Sequence, residues 1–202
     1  MMSMVKHYGS PTAAEQRIVL ASTSPRRISL LKAIVAEFAV VAPEAEEGEI
    51  RTPEDLLNVA RRKAEHVRER HRRAIVIGAD TGVFRDGRPY GKPRDVTEAR
   101  ATLASLAGGW HSVFTGLALL APSAERTDLV ETRVLFKPLS EEEISWYLSR
   151  EDVLDKAGAY AIQGGAAPFV ERIEGDYFNV MGLPLSLLYR RLRELGWRPG
   201  KG

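Results

Sequence analysis

The sequence predicts an α/β fold: a mixed central sheet flanked by helices, with two lobes around a groove. Three observations carry this. Short, largely apolar runs at 17–22 (RIVLAS) and 38–43 (FAVVAP) and a fully apolar one at 74–79 (AIVIGA) read as strands. Capped helical patterns separate them, as a parallel arrangement requires. After the third run the order changes to a hairpin and two consecutive strands, so the sheet is mixed and the units do not strictly alternate.

Taken in order, the first strand leads to Ser24, a good N-cap, and Pro25, a good first helical residue, with Ile28, Leu31, Ile34 and Val35 as the apolar stripe. The second strand is followed by the acidic stretch EAEEGE. Thr52-Pro53-Glu54-Asp55 opens a capped helix with Leu56, Ala60, Ala64 and Val67 on one face. The third strand delivers Asp80 at its C-terminal end. VFRDGRPYG predicts a hairpin around Asp86-Gly87, and Asp95–Leu106 a short helix ending at Gly108-Gly109. Strands follow at 111–121 and 128–136, then a helix capped by Ser140 with Glu143 at the capping-box position. The stretch from Asp155 to Pro184 is rich in glycine and polar residues and reads as partly loop. Pro184 begins a last helix, ending near Gly196. Residues 1–16 read as a mobile N-terminal tail, 17–196 as one domain and 197–202 as a C-terminal tail.

Composition removes several functions. The chain has 202 residues, 44% of them hydrophobic, with 29 basic and 27 acidic side chains and a net charge of +2. That is too even for a typical nucleic-acid module, so any positive site is local. The absence of cysteine excludes disulfides, thiolate catalysis and cysteine-ligated metal. The four histidines show no metal-ligand pattern, and His66 and His71 sit among charged residues of a polar helix. The window 101–124 carries no formal charge but is interrupted by Gly108-Gly109 and Pro122, and reads as a turn and buried strand rather than a membrane span. A soluble, cytoplasmic protein is expected.

The chemistry starts at Ser22, Ser24, Arg26 and Arg27. A strand-to-helix turn exposes free N–H groups at the positive end of a helix, and arginine grips phosphate oxygens with two parallel bonds. The segment equally fits a plain cap with solvated arginines. Asp80 places a carboxylate directly after a buried strand, where functional side chains gather in α/β proteins, although an aspartate there can also close a turn. The stretch Glu44-Ala45-Glu46-Glu47 could offer a second carboxylate to magnesium or be a solvated loop. Lys63, Lys92 and Lys156 stand out because arginine supplies most of the positive charge, yet each is individually ordinary. GRPYGKP lacks the spacing of a phosphate-binding P-loop, and GGWHSVFTG lacks a nucleophile elbow. The inventory points to phosphate chemistry assisted by a divalent metal, and leaves the substrate open.

Together these segments resemble the Maf family of nucleoside triphosphate pyrophosphatases, also called septum-formation inhibitors. The matching stretches are LASTSPRRISLL (20–31), IGADTGV (77–83), GKPRDVTEA (91–99), LAGGWHSVFTG (106–116), DKAGAYAIQG (155–164) and GDYFNVMGLPL (175–185). They cover the chain from about 18 to 195. The resemblance implies a Maf/inosine-triphosphatase-like fold, often a homodimer, that uses Mg2+ or Mn2+ to hydrolyse a nucleoside triphosphate to monophosphate and pyrophosphate. It implies Asp80 as proton acceptor, and Arg26, Thr81 and Gln163 as specificity positions. Ser22, Ser24, Arg27, Glu47, Lys63, Lys92, Glu151 and Lys156 fall at other polar positions of the pocket, with Glu47 and Asp80 on the metal side. AGAYAIQG with Gln163 looks like the branch acting on dTTP and UTP, or on modified pyrimidine nucleotides; an amide can match the donor and acceptors of a pyrimidine edge. The rival expectations are a regulatory module of cell division that binds nucleotides without turnover, which would not need Asp80, and a nucleic-acid binder, which the near-neutral charge disfavours.

Overall fold

The computed structural model describes residues 6–8, 17–44 and 48–199. Among them eight strands form one mixed sheet, β1 (Lys6–Tyr8), β2 (Ile18–Leu20), β3 (Phe38–Val40), β4 (Ile75–Arg85), β5 (Arg88–Tyr90), β6 (Trp110–Leu120), β7 (Glu125–Phe136) and β8 (Val170–Glu174). The order is β1-β3-β2-β4-β6-β7-β8, with β5 hairpinned onto β4. β2 runs parallel to both β3 and β4, and all other pairs are antiparallel. The helices are α1 (Pro25–Lys32), α2 (Pro53–Arg68), α3 (Val96–Leu106), α4 (Glu141–Leu148), α5 (Tyr177–Val180) and α6 (Leu185–Glu194).

Alternation along β4 decides what each helix covers. Ile75, Ile77 and Ala79 join the cluster built with Leu30 and Leu31 of α1 and Leu185, Leu188 and Leu192 of α6. Val76, with Ala118 and Leu120 of β6, meets Ala60, Ala64 and Val67 of α2 on the other face. Burying each leucine or valine contributes about 1.5–3 kcal/mol, which stabilises both layers. α2 lies unusually close to the sheet. A Cβ at Gly78 would sit 2.1 Å from the Ala60 carbonyl oxygen, and one at Gly116 2.5 Å from the Leu56 backbone.

A second cluster occupies the other end of the α1/α6 face, where Val83 and Val113 pack with Leu103 and Leu106 of α3, Tyr147 of α4 and Phe169. Between Ala79 and Val83 on β4, and between Val113 and Leu117 on β6, the apolar pattern is broken by the register pair Thr81 and Thr115. This polar interruption separates the two lobes, and Met181 packs against both.

Five expectations change. Asp80 does not end a strand: β4 continues to Arg85, because antiparallel β6 pairs with it from Val76 to Phe84 even though parallel β2 stops at the level of Ile77. Ser24 is the N-cap of α1 but its hydroxyl makes no capping bond; the Ser22 hydroxyl instead accepts from the Ser24 N–H at 3.2 Å. Lys6–Tyr8, expected in the tail, adds an antiparallel edge strand to β3. β8 lies within the stretch read as partly loop. Trp197, assigned to the C-terminal tail, is buried against the α1/α6 cluster with its ring 6.0 Å from that of Tyr189. The caps of α2 and α4 form as expected, with Asp55 Oδ2 accepting from the Thr52 N–H and Glu143 Oε2 from the Ser140 N–H. The uncharged window 101–124 is the end of α3, a turn and β6, and among the described residues no helix is long and apolar enough to cross a membrane.

Candidate active site

A cleft of about 430 Å³ opens where β2 ends and α1 begins. Five cationic side chains line it, Arg26, Arg27, Lys63, Lys92 and Lys156, against two carboxylates, Asp80 and Asp155. Thr81, Gln163, Ser22 and Ser24 complete the polar lining. All the described residues expected at the site therefore converge except Glu151. Glu47 lies outside the described residues.

The position of Asp80 follows from β4. It shares the parity of Val76 and Gly78, so it faces α2, and the close approach at Gly78 brings Lys63 of that helix within reach. Lys63 Nζ donates to Asp80 Oδ1 at 2.8 Å, with the two side chains only 8% and 15% exposed. A lone charge this deep would be costly, so each carries the other. Asp80 Oδ2 has no hydrogen-bond partner among the described residues.

Thr81 has the opposite parity and faces α1. Arg27 Nη2 donates to Thr81 Oγ1 at 3.0 Å and Arg27 Nε to the Gly182 carbonyl at 2.9 Å. Thr115 Oγ1 donates to the Asn179 carbonyl at 3.2 Å, so in its 3.0 Å contact with Thr81 it is the acceptor. The result is a directed chain, Arg27 to Thr81 to Thr115 to the Asn179 carbonyl. Asn179, fully buried, fastens its own turn to the sheet through Nδ2 contacts with the Val113 and Val130 carbonyls.

At the start of α1 the first helical bond is Ile28 N–H to the Ser24 carbonyl. The Arg26 amide precedes it, and an anion at this helix start meets the positive end of the helix dipole. Across the cleft, Arg26 Nη1 lies 3.3 Å from Asp155 Oδ2, and Lys156 Nζ donates to Asp155 Oδ1 at 2.5 Å. Burial pushes the Asp155 carboxyl up, but the bond to Lys156 and the charges of Lys156 and Arg26 outweigh it and hold the group below the usual aspartate range.

Glu151 does not line the cleft. Its Oε1 accepts the Gly165 N–H at 2.7 Å, behind the turn that carries Gln163. Sequence reasoning missed Asp155, although it adjoins Lys156 in DKAG. It also missed Thr115, whose role depends on standing opposite Thr81, a fact of register that no local pattern reveals.

The donor set bears on the metal. Among the described residues there is no group of three or more His, Cys, Asp or Glu able to hold an ion. Asp80 with an uncommitted oxygen, in a cleft rich in phosphate-binding groups, fits magnesium or manganese bound through one or two carboxylates and the phosphates of a substrate.

Fold and cleft together define a class: an α/β protein whose sheet-side pocket sets five cationic side chains against two carboxylates, a lining suited to a polyanion. A family model described as Maf-like protein matches residues 17–195. The chain belongs to the Maf family. It is 46% identical over 185 residues to the dTTP/UTP pyrophosphatase of Carboxydothermus hydrogenoformans, covering 90% of this chain and 100% of that protein. Identity is 43% over 184 residues to the dTTP/UTP pyrophosphatase of Thermotoga maritima, covering 90% of each. For the Geotalea uraniireducens protein of the same name it is 47% over 188 residues, covering 91% and 97%. Among solved structures, the Staphylococcus aureus Ham1 protein overlaps 59% of this chain and 70% of its own at a TM-score of 0.42 and 16% identity.

Proposed function

We propose that the protein hydrolyses dTTP and UTP, or modified pyrimidine nucleotides of the same shape, to the monophosphate and pyrophosphate. The observation that carries this reading is the company Asp80 keeps: one positioned carboxylate with a free oxygen, in a cleft where five cations and a helix start can hold a triphosphate. The names of its relatives supply the substrate class.

In the proposed reaction a water oxygen forms a bond to the α-phosphorus as the bond from that phosphorus to the α,β-bridging oxygen breaks. The bridging oxygen keeps the bonding electrons and leaves as part of pyrophosphate. Asp80 Oδ2 accepts the proton of the water, while Lys63 fixes Oδ1 and so the direction of the carboxylate. Arg26, Arg27, the α1 amides, Ser22, Ser24, Lys92 and Lys156 hold the phosphates and meet the charge that develops on the leaving group. A carboxylate is a weak base, so positioning and charge stabilisation supply most of the acceleration. A divalent cation, held by Asp80, by Glu47 outside the described residues and by the phosphates, would neutralise charge on the phosphoryl oxygens. Gln163 reads the pyrimidine edge through its amide.

We read the enzyme as cytoplasmic, where nucleoside triphosphates are made and used, acting on free nucleotides as a homodimer; light scattering after gel filtration tests the assembly. The activity is tested by pyrophosphate release from dTTP, UTP, CTP, GTP and 7-methyl-GTP with magnesium or manganese. Turnover of dTTP and UTP, lost by at least about a hundredfold in Asp80→Asn, supports the reading. Nucleotide binding without turnover under either metal overturns it in favour of a regulatory binder.

A further inference from the structure

Gln163 lines the cleft, yet its side chain makes no hydrogen bond among the described residues. Its direction is therefore set by the backbone that carries it, and that backbone is held from behind by the end of α4. Tyr147, in the last turn of α4 and fully buried, accepts the Ala161 N–H on Oη at 3.1 Å. Glu151, four residues on, accepts the Gly165 N–H on Oε1 at 2.7 Å. The two anchors lie two residues before and two residues after Gln163. Between them the segment closes on itself, with the Gly164 N–H bonded to the Ala161 carbonyl at 3.0 Å.

The sequence of the turn is fitted to the carboxylate. A Cβ at position 164 would meet Glu151 Oε1 at 2.9 Å, and one at 165 would meet it at 3.1 Å. Two successive glycines let the chain come close enough for a short, charge-assisted bond. Among the described residues, neither Glu151 nor Tyr147 has a hydrogen bond to any of the five cations of the cleft.

We propose that Glu151 and Tyr147 are positioning residues that aim Gln163 at the nucleobase, so that the end of α4 sets base preference without contacting substrate. The proposal rests on the reading of Gln163 as the base-recognising group. A purely structural anchor would weaken every ligand of the cleft together when lost. A positioning anchor weakens only ligands that carry a base.

The test uses the full chain as wild type, Glu151→Ala, Glu151→Gln and Tyr147→Phe. KM and kcat are measured for dTTP, UTP and CTP, with inhibition by inorganic pyrophosphate as the readout that ignores the base. In Glu151→Ala, KM for dTTP and UTP rises about tenfold, the loss of one well-placed hydrogen bond, and the preference over CTP narrows. Pyrophosphate inhibition stays within about twofold of wild type on the same argument. Glu151→Gln keeps an acceptor and recovers most of the loss. Tyr147→Phe keeps the ring on Phe169, at 5.3 Å between centroids, and shows the same pattern in milder form, which preserves the test should Glu151→Ala fold poorly. An unchanged base preference in Glu151→Ala and Tyr147→Phe, or pyrophosphate inhibition weakening in step with KM, overturns the proposal. A wild type with no preference for dTTP and UTP over CTP overturns the underlying reading instead, and the proposal with it.

Discussion

Lys63 Nζ stands 2.8 Å from Asp80 Oδ1, joining a helix to a strand across the floor of the cleft. The pair exists because α2 rides on Gly78 and Gly116, which bring its axis close enough for a lysine to reach the carboxylate. Replacing Lys63 with methionine keeps most of the stem and removes the charge, leaving Asp80 without its partner. The expected loss is about 3 kcal/mol, the low end for a buried pair, because the site borders the cleft. Urea unfolding measures it, and a Lys63→Met/Asp80→Leu double variant should recover part of the loss, since no lone charge is then left inside.

The Arg27 guanidinium is held by Thr81 Oγ1 and the Gly182 carbonyl. Thr81→Val keeps the shape but deletes the hydroxyl, and it leaves Thr115 with its bond to the Asn179 carbonyl alone. KM for the triphosphate should rise roughly tenfold with kcat less affected, as expected when one hydrogen bond to a charged group is lost. Thr81→Ser keeps the hydroxyl and should stay near wild type. A Thr81→Val variant with KM near wild type would show that the relay does not hold the arginine.

Asp155 occupies two of the cations that a phosphate would use, Arg26 and Lys156. An entering phosphate must displace it. Asp155→Asn should therefore tighten inhibition by pyrophosphate, by about two- to fivefold given that the carboxylate is largely exposed. Weaker inhibition in this variant would mean that Asp155 orders the two cations more than it competes for them.

His111 is buried, with Nε2 2.9 Å from Tyr160 Oη and, among the described residues, no partner for Nδ1. Burial, aided by the Arg85 charge, pushes its pKa down from 6.5 to about 4. The unfolded chain thus binds a proton between those values that the folded chain refuses. Stability from this group is complete above about pH 6.5 and is lost as pH falls toward 4, by about 3 kcal/mol in all. Urea unfolding across that range should show a decline that flattens in His111→Gln. Equal slopes in the two proteins would sink the assignment.

The helices and the clustering of polar motifs were legible in the sequence because both depend on local signals. The cap chemistry at Thr52 and Ser140 and the stripe of α2 specify their helices without reference to anything distant. Ser24 shows the limit of such reasoning. Its type and place suit a cap, but Ser22 two residues earlier takes its amide, and the hydroxyl is left to the cleft. Asp80 stands out in the sequence but its setting does not, since a polar residue after an apolar run resembles a strand end. What carries β4 onward is pairing with β6, thirty-odd residues away in sequence. Thr115 and Asn179 were missed for the same reason, as their value lies in what stands opposite them. Trp197 follows the last helix and looks dispensable until α6 folds back and gives it Tyr189 to pack against.

The continuation of β4 through Asp80 divides the cleft into parts of unequal freedom. Asp80 and Thr81 are spliced into a ladder whose amides and carbonyls are already spoken for on the β6 side, so they move only if the sheet does. Gln163, Asp155 and Lys156 ride on short turns at the opposite wall, where a substitution can redirect a side chain without disturbing strand pairing. The molecule thus resembles a workbench with an immovable vice and interchangeable jaws. On the proposed reading, preference among bases would drift through the wall while the bond broken stays the same.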